Sequence, residues 1–186
     1  GSDILDLTNL TKIKSVLQKY EPELIINLMS FNDVDKAEYD HTCMLINYEA
    51  VSIICDFCLL KDIPFIHFSS NDVFSTNQFP ITENKKCNPI NRYGESKFLG
   101  EKSIMTKLNK YIIIRTSWVY GSIKNKGFLS KIIENIENGQ KSFYGVYDYV
   151  SSPTSCTNIK NFIEILISKY LKKELVYPNI FHITDQ

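Results

Sequence analysis

Pro64-Phe65-Ile66-His67-Phe68-Ser69-Ser70 is a short run, apolar at most positions, that ends in two hydroxyls. A strand with one wet face alternates apolar and polar residues. A run without that alternation is a strand covered on both faces, which is the habit of parallel sheets. Three more runs share the pattern: Glu23-Leu24-Ile25-Ile26-Asn27-Leu28, Tyr111-Ile112-Ile113-Ile114-Arg115-Thr116 and Asn179-Ile180-Phe181-His182-Ile183-Thr184. Longer segments with helical spacing lie between them, at 9–20, 43–60, 91–108, 128–138 and 158–171. The first carries Leu10, Ile13, Val16 and Leu17 on one face, and Pro22 stops it. Strands alternating with helices demand right-handed crossovers, so the expected fold is α/β, a Rossmann-like doubly wound parallel sheet. There are no internal repeats, no low-complexity linker and no change of composition along the chain. A single domain over residues 1–186 is expected.

The bulk numbers narrow the function. The chain has 186 residues, 44% hydrophobic and 23% charged, the balance of a globular domain with a sizeable core. Its 21 basic and 21 acidic side chains cancel. Nucleic-acid binding draws on basic groups that displace counterions, so no nucleic-acid partner is expected. No apolar run is expected to approach a membrane span, no secretory leader is read before the fold, and no membrane partner is expected. The five cysteines (43, 55, 58, 87 and 156) show no framework spacing. Cys55 and Cys58 form a C-x-x-C inside an apolar helix without a second pair or a nearby histidine, so they read as structural thiols and no metal is expected. Reduced thiols place the protein in the cytoplasm.

The chemistry concentrates at Asn91-Arg92-Tyr93-Gly94-Glu95-Ser96-Lys97. Tyr93 and Lys97 stand four apart at the start of a helix, which puts phenol and ammonium on one face. A free phenol holds its proton too tightly for acid–base work at neutral pH, and a neighbouring cation favours the phenolate and makes tyrosine usable. Ser69 and Ser70 end a strand, and ligands of open α/β sheets sit beyond the carboxyl ends of the strands. Ser70 could donate to a carbonyl oxygen there, beside a proton supplied by Tyr93. Against this stands the plainer reading of a surface Tyr-Lys pair and two turn-capping serines.

The flanking residues resemble one family. His67-Phe68-Ser69-Ser70-Asn71-Asp72-Val73-Phe74 is similar to the H-I-S-T-D-Y-V-F block of dTDP-4-dehydrorhamnose reductases, which are extended short-chain dehydrogenase/reductases. Pro89-Ile90-Asn91-Arg92-Tyr93-Gly94-Glu95-Ser96-Lys97-Phe98-Leu99-Gly100-Glu101 resembles their P-L-N-x-Y-G-x-(S/T)-K-x-x-G-E helix. Arg115-Thr116-Ser117-Trp118-Val119-Tyr120-Gly121 matches their R-T-S-W-V-Y-G segment. Ile26-Asn27 with Val34-Asp35-Lys36-Ala37-Glu38, and Ser152-Pro153-Thr154, resemble two further blocks in the family's order.

The resemblance implies NADPH or NADH as cofactor and reduction of the C4 ketone of a dTDP-4-keto-6-deoxyhexose, on the route to dTDP-L-rhamnose and surface polysaccharide. It makes Tyr93 the proton donor, Lys97 its partner and a ligand of the nicotinamide ribose, and Ser70 the hydroxyl where the family has threonine. Asp6 and Leu7 would approach the adenine, and Asn27, Leu28, Met29 and Ser69 would lie along the cofactor. Ser70, Asn71 and Trp118 would face a nucleotide-sugar substrate, and a homodimer is compatible with the family. Departures accompany the matches. Asn71 and Asp72 stand where the family has aspartate and tyrosine, and Leu28-Met29-Ser30 replaces a run of alanines. The family's G-x-x-G-x-x-G turn is missing, since no glycine lies between positions 2 and 93. A central segment is therefore expected, beginning near the family's third strand and stopping before its substrate lobe. Two rivals share these blocks: a non-catalytic NADP-binding regulatory subunit similar to the methionine adenosyltransferase β subunit, and a nucleotide-sugar epimerase or dehydratase.

Overall fold

The computed structural model describes residues 5–75, 80–121, 128–144 and 151–185. These residues group into two compact units, one drawn from Gly1–Thr76, Ile81–Arg115 and Tyr177–Phe181, the other from Asn77–Pro80, Thr116–Val176 and His182–Gln186. Sequence patterning had suggested one domain.

In the first unit, α1 (Leu10–Tyr20) is capped by the Asn9 side chain and ends in a left-handed Glu21. It leads to β1 (Ile25–Asn27), then to the short α2 (Val34–Ala37) and α3 (Thr42–Met44). A π-turn over Leu45–Glu49 runs on without a break into α4 (Ala50–Lys61). Strand β2 (Phe65–Ser70) passes through a 3-10 turn at Asn71–Val73, and α5 (Arg92–Lys107) precedes β3 (Tyr111–Thr116). The sheet order is β1-β2-β3-β6, with β6 at Asn179–Ile183. The pair β1–β2 is parallel, with Asn27 beside His67. The fold is thus the expected α/β arrangement on a parallel sheet. Among the described residues β1 has one unpaired edge.

The core of this unit joins Ile13 of α1, Ala50, Val51, Ile54, Cys55 and Cys58 of α4, Phe65 of β2, Ile104 of α5 and Ile113 of β3. One sequence expectation is corrected here. The continuous helix Thr42–Lys61 is long and apolar enough to cross a membrane by length and composition. Its buried side chains pack against α1, β2 and α5, the placement of a core helix. Cys55 and Cys58 lie in that core, and burial pushes both thiols up to about 12, which leaves them inert at neutral pH.

In the second unit, β4 (Val119–Tyr120) pairs in parallel with β5 (Thr154–Ser155). It also contains α6 (Phe128–Glu137) and α7 (Cys156–Leu171), the latter capped by Ser155. Asp185 gathers this unit: its carboxylate accepts from Tyr120 Oη at 2.6 Å, Asn158 Nδ2 at 2.5 Å and the Ser155 backbone N–H. The start of the chain, expected near the family's third strand, forms no strand where it is described: Leu5 and Asp6 are irregular and Leu7 opens a turn. Asp3 and Ile4 lie outside the described residues.

Candidate active site

Two turns place the site. Ser70 ends β2 and caps the 3-10 turn, its Oγ accepting from Asp72 N at 3.2 Å. Asn91 caps α5, its Oδ1 accepting from Gly94 N at 2.6 Å, so Tyr93 sits in the helix's first turn and Lys97 one turn on. The two turns touch through Gly94, where a Cβ would overlap the Asp72 carbonyl oxygen. Only glycine lets α5 start this close to the end of β2. At Gly100 a Cβ would likewise collide with the Asn47 carbonyl of the π-turn.

The Tyr93 phenol lies within hydrogen-bonding reach of the Ser70 and Ser30 hydroxyls. Tyr93 is 8% exposed and Ser70 is 7% exposed. Burial pushes the phenol up to about 12, and the nearby Asp72 charge pushes the same way, while the two hydroxyls pull back. Lys97 is 1% exposed, and its Nζ donates to the Phe68 carbonyl at 2.6 Å. Burial lowers this ammonium to about 8, with Glu101 and Cys43 pulling the other way. The sequence reading had Lys97 drawing the phenol's pKa down. The net direction is upward, because burial outweighs every favourable neighbour and the lysine is engaged with a backbone carbonyl.

His67 and Ser69 precede Ser70 on β2. His67 is fully buried, and its Nδ1 lies 3.1 Å from Asn27 Nδ2. The amide nitrogen of Asn27 can only donate, so Nδ1 accepts and the ring proton sits on Nε2. Burial holds His67 well below the ordinary range, hence neutral. Its Nε2 and the Ser69 Oγ are buried without a hydrogen-bond partner among the described residues. Buried polar atoms seldom stay unpaired, so such orphans beside the site are natural partners for a ligand.

The other sequence candidates are placed as follows. Asn27 closes the exit of β1, its Oδ1 accepting from Met29 N at 3.1 Å. Leu28 and Met29 are 58% and 57% exposed just beyond it. Asn71 Oδ1 is 3.4 Å from Ser70 Oγ. Asp6 accepts from the Thr8 N–H and hydroxyl, a local turn contact, and the Leu7 side chain is buried in the core. Trp118 belongs to the second unit. It is 40% exposed at φ 45°, a left-handed backbone that L residues rarely adopt, with its carbonyl accepting from Thr154 N at 3.4 Å.

Sequence reasoning missed two residues here, Asn47 and Cys43, while Ser30 was expected along the cofactor with Leu28 and Met29. Asn47 is the one polar side chain turned wholly inward from the π-turn. An asparagine within a long apolar helical stretch was the signal that could have found it.

The implied nicotinamide cofactor fits part of what is present. The orphaned Ser69 Oγ and the exposed Leu28–Met29 backbone suit a flat ring and its ribose. Lys97, with donors beyond the one spent on Phe68, suits ribose hydroxyls. A glycine-rich pyrophosphate cradle is not among these residues.

Comparison with known proteins decides the family. The family described as RmlD substrate binding domain matches residues 1–186. The chain belongs to this family. A dTDP-4-dehydrorhamnose reductase of Aggregatibacter actinomycetemcomitans is 28% identical over 185 residues, 98% of this chain and 62% of that protein. Among solved structures, the dTDP-4-dehydrorhamnose reductase of Bacillus anthracis in complex with NADP superposes with a TM-score of 0.83 at 28% identity, covering 98% of this chain and 63% of that one. The Yersinia enterocolitica reductase gives 0.84 at 28% identity, with 98% and 63% covered. This RmlD-family chain thus spans less than two thirds of the relatives it matches.

Proposed function

We propose that this RmlD-family protein reduces the C4 ketone of a dTDP-4-keto-6-deoxyhexose with NADPH or NADH. The observation that carries the reading is the meeting of the Tyr93 phenol with the Ser70 hydroxyl at the carboxyl end of β2, with Lys97 one helical turn away. The bound cofactor is the source of the hydride at C4. Ser70 donates to the ketone oxygen and fixes its position. Tyr93 gives its proton to the same oxygen as charge develops there. A phenol near 12 enters turnover fully protonated, the state that a general acid for reduction requires. The hydroxyls of Ser70 and Ser30 and the charge of Lys97 then stabilise the phenolate left behind. The free cysteines are consistent with work in a reducing cytoplasm.

The test is turnover by the complete gene product with dTDP-4-dehydro-6-deoxyhexoses and NAD(P)H, with the product identified by NMR. Formation of a C4 alcohol supports the reading. Tight cofactor binding without turnover of any keto-sugar would favour the regulatory-subunit rival.

A further inference from the structure

We propose that Ser30 is a second catalytic hydroxyl of this site, returning a proton to Tyr93 after each transfer, and that Asn47 positions it. This rests on the reading of Tyr93 as the proton donor. Ser30 follows β1 in the loop that leads to α2, and its hydroxyl has a built environment.

Ser30 Oγ donates to Asn47 Oδ1 at 3.0 Å or to the Phe31 carbonyl at 3.2 Å. The Asn47 carboxamide holds the same loop twice more, accepting from Phe31 N at 2.9 Å and donating to Phe31 O at 3.1 Å. It also reaches across to α5, donating to Ser96 Oγ at 3.0 Å, and Ser96 Oγ donates to the Tyr93 carbonyl at 2.7 Å. Asn47 is 1% exposed and Ser96 is fully buried, so this circuit is enclosed. It locks the Ser30 loop onto the helix turn that carries Tyr93. The Ser30 hydroxyl then stands within hydrogen-bonding reach of the phenol.

The two serines divide the work. Ser70 caps the turn after β2 and, once a ketone is bound, directs its O–H to the ketone oxygen. Ser30 stays with the phenol. When the Tyr93 O–H bond breaks, its proton goes to the C4 oxygen and a phenolate remains. The Ser30 O–H proton then passes to that phenolate as a hydronium ion of the solvent delivers one to Ser30 Oγ, so no alkoxide is left and each turnover takes up one solvent proton. Ser30 is only half-buried, so water can reach it, whereas Tyr93 is almost fully enclosed.

The test is the pH profile and solvent deuterium isotope effect of ketone reduction by the complete gene product. Ser30→Ala should slow turnover by about 3–10-fold, the net worth of one ordinary hydrogen bond. It should also move the pH midpoint assigned to Tyr93 upward and enlarge the isotope effect. Ser30→Thr keeps the hydroxyl and should restore both, and it is the deciding variant if the alanine form folds poorly. A wild-type rate, midpoint and isotope effect in Ser30→Ala, with Tyr93→Phe still disabled, overturns the Ser30 role alone. Near-normal turnover in Tyr93→Phe overturns the reading of Tyr93 and the role of Ser30 with it.

Discussion

Helix α5 buries two charges one turn apart and treats them differently. Glu101 is 0% exposed and meets Arg115 in a two-pronged ion pair, Oε1 accepting from Nε at 2.9 Å and Oε2 from Nη2 at 2.7 Å. The guanidinium also donates to the Glu83 carbonyl at 3.3 Å and sits 5.0 Å from the centre of the Phe74 ring. Lys97, as deeply buried, has a backbone carbonyl at its head and forms no ion pair among the described residues. A buried charge with its full set of partners is architecture, costly to break and of little use for chemistry. A buried charge left short of compensation shifts its pKa, and that availability is what a catalytic site needs. One helix thus serves the site with its first two turns and the scaffold with its third.

The largest effect that could break this division is chemical. Tyr93→Phe removes one hydroxyl and leaves the fold intact, so turnover should fall by roughly 10²–10⁴-fold, the usual worth of a positioned general acid. Steady-state kinetics on the complete gene product measures it. Glu101→Gln comes next, and its effect is on stability. Leaving Arg115 buried without its anion should cost about 3–5 kcal/mol, read from urea denaturation. A loss under 1 kcal/mol would mean that water or the Glu83 carbonyl already compensates the guanidinium.

Lys97 gives a smaller effect with the opposite sense. Its folded pKa of about 8 lies below the ordinary 10.5, so the unfolded chain binds the extra proton between these values. Stability from this group is therefore complete above 10.5 and is lost as pH falls through about 8, a span of about 3 kcal/mol. Lys97→Met should flatten that part of the stability profile. Tyr93 acts in the opposite sense at the alkaline end, where its raised pKa makes stability fall as pH climbs from 10 towards 12.

Most of the scaffold was readable beforehand because continuous β-branched runs and helical spacing are strong local signals. Tyr111–Thr116 is a strand over the very span its isoleucines suggest. The two-residue pair β4–β5 was not readable, since Val119-Tyr120 and Thr154-Ser155 are too short to carry a period and are paired by tertiary context. The π-turn at Leu45–Glu49 hides for a related reason: it keeps the helix going, so periodicity passes over it and only the inward Asn47 marks it. Within the site, residue spacing could put Tyr93 and Lys97 on one face. It could not say that burial would drive the phenol up rather than down, because that depends on what covers the helix. Ser30 was visible as a departure from alanine, but its partner on α5 is distant in sequence.

The most direct test of the contrast on α5 is the titration of Lys97 itself. Lysine labelled with 13C at Cε gives one NMR resonance per residue, and the signal lost in Lys97→Met identifies Lys97. The expected midpoint is about 8, with the burial of an incompletely compensated ammonium as its cause. A midpoint at the ordinary 10.5 would contradict this, showing Lys97 to be as fully compensated as Glu101 and the site's electrostatics to have been misassigned.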